Sequence, residues 1–198
     1  MAGWFLRKTA TRFEFPFKIY GLHQGILDRV EKVWPTVEGS LGIILNGLKG
    51  TGKTVTAQIM CNRLIEQGIP VIMVTDPIPV STVLASLRQD VALIFDEFEK
   101  THDDQARDGE PSPQQRLLSA LDGISRSQFK RLFILTTNKR DLDENLLDRP
   151  SRIRYCWEFK TMEETLTREI VTDRIRQDLM HLVNDVVKFI HTRSVVSI

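Results

Sequence analysis

The stretch of this chain best equipped for chemistry is GLKGTGKT, positions 47–54. Gly47, Gly52, Lys53 and Thr54 match the spacing G-x-x-x-x-G-K-[ST]. Glycines let the backbone curl so that successive N–H groups converge on phosphate oxygens, backed by the positive end of the helix that follows. Leu48, Lys49, Gly50 and Thr51 complete the loop, and Val55 carries it into the helix. Lys53 is expected to face the β and γ phosphates of ATP, and the Thr54 hydroxyl to bind Mg²⁺. The alternative is a glycine-rich turn that binds nothing. At average residue usage a chance match in a chain of this size arises on the order of one time in a hundred. The flanks argue further against chance: an apolar LGIILN precedes the turn, and VTAQIMCNRLI follows it at helical spacing.

A second cluster closes the run VALIFDEF, positions 91–98. Five apolar residues lead into Asp96 and Glu97, expected at the carboxyl end of a buried strand. In an open parallel sheet that end lies beside the phosphate loop. Asp96 can then hold Mg²⁺, directly or through water, and Glu97 can polarise an attacking water. Two solvated carboxylates are the plain alternative. A carboxylate base favours hydrolysis over transfer to a bound acceptor, so the pair separates an ATPase from a small-molecule phosphotransferase.

These residues need a frame, and the rest of the chain supplies one. RFEFPFKIYGL (12–22) reads as extended and HQGILDRVEKVWPTV as helical. Strands are expected at 41–46, 69–75, 91–98 and 131–138, with helices at 53–67, in PVSTVLASLRQ and in QQRLLSALDGI. KTHDDQARDGEPSPQ (100–114) reads as a loop. Near-continuous apolar strands alternating with helices predict an α/β fold, a parallel sheet covered on both faces in three αβα layers. From residue 161 the pattern is helical. The expected organisation is an arm at 1–16, an α/β domain at 17–160 and a small all-α lid at 161–198, either compact or cut short.

Composition narrows the function classes. With 198 residues, 41% hydrophobic and 27% charged, the chain has an ordinary soluble globular balance. Its 27 Lys and Arg against 26 Asp and Glu give no overall drive toward nucleic acid or an anionic membrane. Local basic groups, Arg7, Lys8, Arg12 and Lys18 near the start and RSQFKR at 126–131, leave nucleic acid open as a partner. No apolar run approaches transmembrane length, and no secretory leader is visible. Cys61 and Cys156 are therefore expected as reduced thiols in a cytoplasmic protein. No spacing of histidines supports a metal site.

LFILTTNKRDLDENLLDRPSRIR (132–154) makes the resemblance specific. It is similar to the second region of homology of the AAA+ ATPases, and of their AAA branch in particular. There a strand ends in Asn, followed by an Asp-rich turn, a Leu-Leu pair and R-P-x-R, matched here by Asn138, Asp141, Leu146, Leu147, Arg149 and Arg152. FKIYGL resembles the stretch that contacts adenine ahead of the phosphate loop, which implies Ile19, Tyr20 and Gly21. The resemblance implies that Asn138 bonds the γ-phosphate and the attacking water. It also implies that Arg149 and Arg152 reach a neighbouring subunit's site, where an arginine is worth roughly 10³–10⁵ in rate. It implies a homo-oligomer, a six-membered ring or a spiral, that remodels a protein client. Protein-threading members carry an aromatic–apolar–Gly triplet after the second strand, where this chain reads TDPIPVSTVLASLRQD, with Ile78 as its prominent apolar residue. The lid arginine of the family has no motif here, leaving Arg168, Arg174, Arg176 and Arg193 as candidates. A DNA-directed loader-type ATPase and a nucleotide-gated scaffold with little turnover stand as alternatives.

Overall fold

The computed structural model describes residues 6–75, 80–101, 128–138 and 153–193. Among them a five-stranded, all-parallel sheet runs β1 (Ser40–Gly47), β2 (Val71–Met73), β3 (Val91–Phe95), β4 (Arg131–Thr137) and β5 (Tyr155–Phe159) along the chain. In space the order is β2-β3-β4-β1-β5. The strand bearing the phosphate loop thus lies beside β4, and β4 lies beside the strand bearing the paired carboxylates. Register aligns their ends: Asn46 pairs with Thr137 across β1 and β4, and Phe95 with Leu135 across β3 and β4. Asp96, Asn138 and the turn after Gly47 are therefore brought to one edge by strand pairing alone.

The apolar runs become strands buried on both faces. Every residue of β3 and β4 is buried, including Arg131 at the opposite end from the site. Side chains alternate between two cores. Ile44, Leu93, Phe95, Phe133 and Leu135 face one side with Val80, Leu84 and Phe98; Ile43, Leu45, Ala92, Ile94, Leu132 and Ile134 face the other. The second core is roofed by α1 (Gln24–Val33), through Leu27 and Val30, and by α2 (Lys53–Glu66), through Ala57, Met60, Cys61 and Leu64. On the first side lie α3 (Val80–Ser86) and the short α4 (Phe98–Thr101). Trp34 and Pro35 turn the end of α1 into a 3-10 segment, Trp34–Thr36.

The C-terminal part is helical, with α5 (Glu164–Arg174), a 3-10 segment (Gln177–Leu182) and α6 (Val183–Arg193). It closes over its own small core of Val171, Val183 and Val187.

The sheet matches the α/β expectation, with two differences, and the stretch read as extended joins no strand. A fifth strand, Tyr155–Phe159, pairs with β1 and was not anticipated. It is a short edge strand whose exposure alternates and whose apolar run is broken by Glu158. The stretch expected as a strand over 91–98 stops at Phe95, and Phe98 already opens α4. Residues 12–22 form no strand. There the Phe13 main chain spends its N–H and C=O on the Asn62 side chain, at 2.8 and 2.9 Å, instead of on a neighbouring strand. Ile78, residues 102–114, the helix expected in QQRLLSALDGI, and Asp141, Leu146, Leu147, Arg149 and Arg152 lie outside the described residues.

Candidate functional site

The phosphate loop is built around close backbone approach. Gly47 takes φ +147°, and a Cβ there would lie 2.2 Å from the Phe159 carbonyl oxygen, so β5 leaves no room for a side chain. Gly52 precedes the first residue of α2 at φ +91° in open space; conformation, not volume, is what suits glycine there. Thr51 Oγ1 donates to the Leu48 carbonyl at 2.8 Å and holds the loop's curl. Lys49 and Gly50 are exposed, while Leu48, Thr54 and Val55 are half-buried. Lys53 is buried, and its ammonium donates to the carbonyls of Gly47 (2.8 Å) and Leu48 (2.7 Å) and to Asn138 Oδ1 (3.0 Å). Burial lowers its pKa from the ordinary lysine value, opposed by the charges of Glu99, Glu97 and Asp96.

The carboxylate pair divides. Asp96 Oδ1 accepts from Thr54 Oγ1 at 2.8 Å and from Thr136 Oγ1 at 2.6 Å. Thr136 Oγ1 in turn accepts from the Glu97 main-chain N–H at 2.8 Å. Glu97 adopts φ +48°, which turns its side chain away from Asp96's partners. Its carboxylate takes a bond from Lys100 Nζ at one oxygen and from Asn138 Nδ2, at 2.9 Å, at the other. The Lys100 bond is the main cause that holds Glu97 below the usual carboxylate range, with Asn138 and the more distant Lys49 adding to it. Asn138 is fixed on every side. Besides Glu97 and Lys53 it meets Glu99 Oε1 through its main-chain N–H (2.9 Å) and through Nδ2 (3.1 Å).

A hydroxyl and a carboxylate oxygen 2.8 Å apart form a hard-donor pair of the kind Mg²⁺ takes alongside phosphate oxygens and water. Thr54 and Asp96 thus fit the ion expected of them. Sequence reasoning missed Thr136, Glu99 and Lys100. A signal existed for the first, since Thr136 and Asn138 are two apart on the strand expected over 131–138, a spacing that sets them on one face. Lys100 stands three residues after Glu97, a spacing that brings side chains together on a helical turn, whereas nothing local marks Glu99 as a partner of Asn138.

Two residues beyond the segment Ile19–Tyr20–Gly21, His23 sets its ring 4.3 Å from that of Phe159, the residue packed against Gly47. On its other side the segment meets α5. Tyr20 Oη donates to Asp173 at 3.2 Å, Lys18 pairs with Asp173 and Glu169, and a Cβ on Gly21 would lie 2.3 Å from Leu166. Arg174 lies over the Tyr20 ring. Arg149 and Arg152 fall outside the described residues.

A parallel αβα sheet with this phosphate loop at the carboxyl end of β1 defines a P-loop nucleotide-binding protein. The model of the AAA family, the ATPase family associated with various cellular activities, matches residues 43–160, more than half of the chain. The chain belongs to that family. No curated protein sequence matches it significantly. Among solved structures, a chain of the HORMA:CdnC:Trip13 complex of E. coli MS115-1 is similar, with a TM-score of 0.54 at 16% identity. That likeness covers 81% of this chain and 66% of the other, just under two thirds of its length. Among the described residues, no helix is long and apolar enough to cross a membrane.

Proposed function

We propose that this chain binds Mg²⁺–ATP at residues 47–55 and hydrolyses it, as a cytoplasmic AAA+ ATPase that acts in an oligomer. The observation that carries the reading is the linked set Thr54–Asp96–Thr136–Glu97–Asn138–Lys53, which joins the phosphate loop to the ends of β3 and β4 through hydrogen bonds. Phosphate oxygens offer the Lys53 ammonium stronger acceptors than the carbonyls of Gly47 and Leu48 it now contacts. Thr54 and Asp96 would hold Mg²⁺, which would supply neutralisation of phosphate charge. Glu97 orients the attacking water and takes its proton, and Asn138 holds that water against the γ-phosphate. Ile19, Tyr20 and Gly21 contact the base, with residues from 161 onward as the lid above it. Arg149 and Arg152 act on the next subunit's nucleotide in a six-membered ring or spiral, and the client is a protein. The likeness to a chain of a multi-protein complex supports a protein client.

The test is turnover at rising protein concentration, with three variants. Lys53→Ala should lose tight ATP binding while remaining folded. Glu97→Gln should bind Mg²⁺–ATP and lose about 10²–10⁴ in rate, the usual contribution of a positioned base. Arg149→Ala should bind ATP without turnover and recover activity when mixed with Lys53→Ala. Normal turnover in Glu97→Gln refutes the assignment of the base. A second reading, a nucleotide-gated scaffold with little turnover, draws on the engagement of both Glu97 oxygens by Lys100 and Asn138. Tight ATP binding by wild type without turnover at any concentration would favour it.

A further inference from the structure

We propose that Glu99 is a positioning residue for the hydrolysis described above: its Oε1 pins Asn138 by main chain and side chain together and so aims the amide at Glu97. The inference rests on the ATPase reading. Asn138 stands one residue beyond the end of β4, where the ladder no longer supplies partners. Its N–H would otherwise seek water, and its side chain would keep rotamer freedom. A single carboxylate oxygen, 39 residues earlier in the chain, removes both freedoms at 2.9 and 3.1 Å. The amide's orientation follows from charge. Nδ2 faces carboxylate oxygens of Glu97 and Glu99, while Oδ1 faces the Lys53 ammonium, and a flip would set oxygen against two anions.

Glu99 is costly in this position. Its other oxygen, Oε2, is buried with no hydrogen-bond partner. Buried polar atoms are normally satisfied, so an orphaned carboxylate oxygen needs an explanation. The geometry supplies one, because Glu99 reaches Asn138 and its charge also sustains that of Lys53. Among the charges that raise the Lys53 pKa against burial, Glu99 is the largest contributor. A residue present only to fold the turn would not need to meet both the lysine and the asparagine of the site.

The experiment compares Glu99→Met, which fills the space without an acceptor, with Glu99→Gln, whose Oε1 can still receive both Asn138 donors. Wild type, Glu97→Gln and Asn138→Ala are run beside them. Each is measured in the full chain for thermal midpoint, kcat, KM for ATP, and affinity for fluorescent ATP and ADP analogues. Glu99→Met should lower kcat by about 10²-fold, the usual result of slight misplacement at a reacting centre, with a smaller change in KM. Glu99→Gln should stay within about threefold of wild type, and the double variant Glu99→Met/Asn138→Ala should be no slower than Asn138→Ala alone, because coupled residues do not add. The preference for the ATP analogue over ADP should fall in Glu99→Met to the level of Asn138→Ala. Wild-type kcat in folded Glu99→Met, or losses that multiply in the double variant, would overturn the proposal. If Glu99→Met does not fold, Glu99→Gln decides: wild-type-like kcat supports it, and a 10²-fold loss overturns it. If wild type shows no turnover, the ATPase reading has failed on its own, and the ATP-over-ADP preference then decides on Glu99.

Discussion

Thr136→Val gives the sharpest stability test of the site. The residue is fully buried, and its hydroxyl has two tasks: it donates to Asp96 Oδ1 at 2.6 Å and accepts from the Glu97 N–H at 2.8 Å. Valine keeps the shape and loses both. A hydrogen bond to a charged group is worth about 1.5–3 kcal/mol, and a buried N–H left without a partner costs about 1–3 kcal/mol. Asp96 keeps Thr54 as a donor and is only half-buried, so water recovers part of the first loss. The buried methyl group gained returns a fraction of about 0.8 kcal/mol. The net expectation is a destabilisation of about 2–4 kcal/mol. In a chain of this length that lowers the thermal midpoint by roughly 4–16 °C. Thr136→Ser keeps the hydroxyl and deletes the methyl, a change in the class that costs about 0.5–1.5 kcal/mol. Melting followed by circular dichroism should therefore rank wild type above Ser and Ser above Val. In an apolar core the last two would exchange places. A valine variant as stable as wild type, or more stable than the serine variant, would refute the hydroxyl's role as the joint between β3 and β4.

Other expectations are quicker to state. Gly47→Ala should cost about 1–3 kcal/mol or more from overpacking against the Phe159 carbonyl; urea denaturation within 0.5 kcal/mol of wild type would contradict the close approach. The Lys53 pKa is lowered by burial, so the charged form persists below that value and is lost as pH rises through it. The alkaline limb of kcat/KM, which reports the free enzyme, should thus fall below pH 10.5, the ordinary lysine value, while that of kcat, with phosphates beside the ammonium, lies higher. Coincident limbs at or above pH 10.5 would count against it. The Cys61 thiol is fully buried and pushed up to about 12, whereas Cys156 is exposed. A thiol reagent at neutral pH should modify Cys156 in the native protein and Cys61 only on unfolding; equal rates would show the α2 face to be open.

What could be read in advance was what lies together along the chain. The phosphate loop is a local pattern, and β1, β3 and β4 are apolar runs because both their faces are covered. The β5 strand was hidden because an edge strand carries only half that signal. The extended look of residues 12–22 came from alternating aromatics, yet whether a stretch becomes a strand depends on a partner edge, and Asn62 takes that part for Phe13. Of the site, Gly47, Lys53, Thr54, Asp96, Glu97 and Asn138 were all foreseen, and the structure brings them within one network. Thr136 and Glu99 were not: their partners are set by β3–β4 pairing, 40 and 39 residues away along the chain, and only the two-residue spacing of Thr136 from Asn138 hinted at the first.

The division of labour between Asp96 and Glu97 needs more than their adjacency. Neighbours on a regular strand point to opposite faces, yet both carboxylates must serve the same end of the sheet. The chain resolves this at Glu97, whose φ of +48° costs of the order of 1–3 kcal/mol for a residue with a side chain. Several contacts hold it there. Its N–H is taken by Thr136, its carbonyl accepts from the Lys100 N–H at 2.8 Å, and the next residue, Phe98, is buried in the core beneath the turn. The result is that, among the described residues, the hydrogen-bond donors to Asp96 are the neutral hydroxyls of Thr54 and Thr136, beside the loop where a cation would add to them. Glu97 instead meets a lysine and an amide, which favour its ionised form and fix where it points. The strained residue is thus the one that gives two adjacent, similar acids different partners, as the proposed mechanism requires, and the hydroxyl of Thr136 touches both residues.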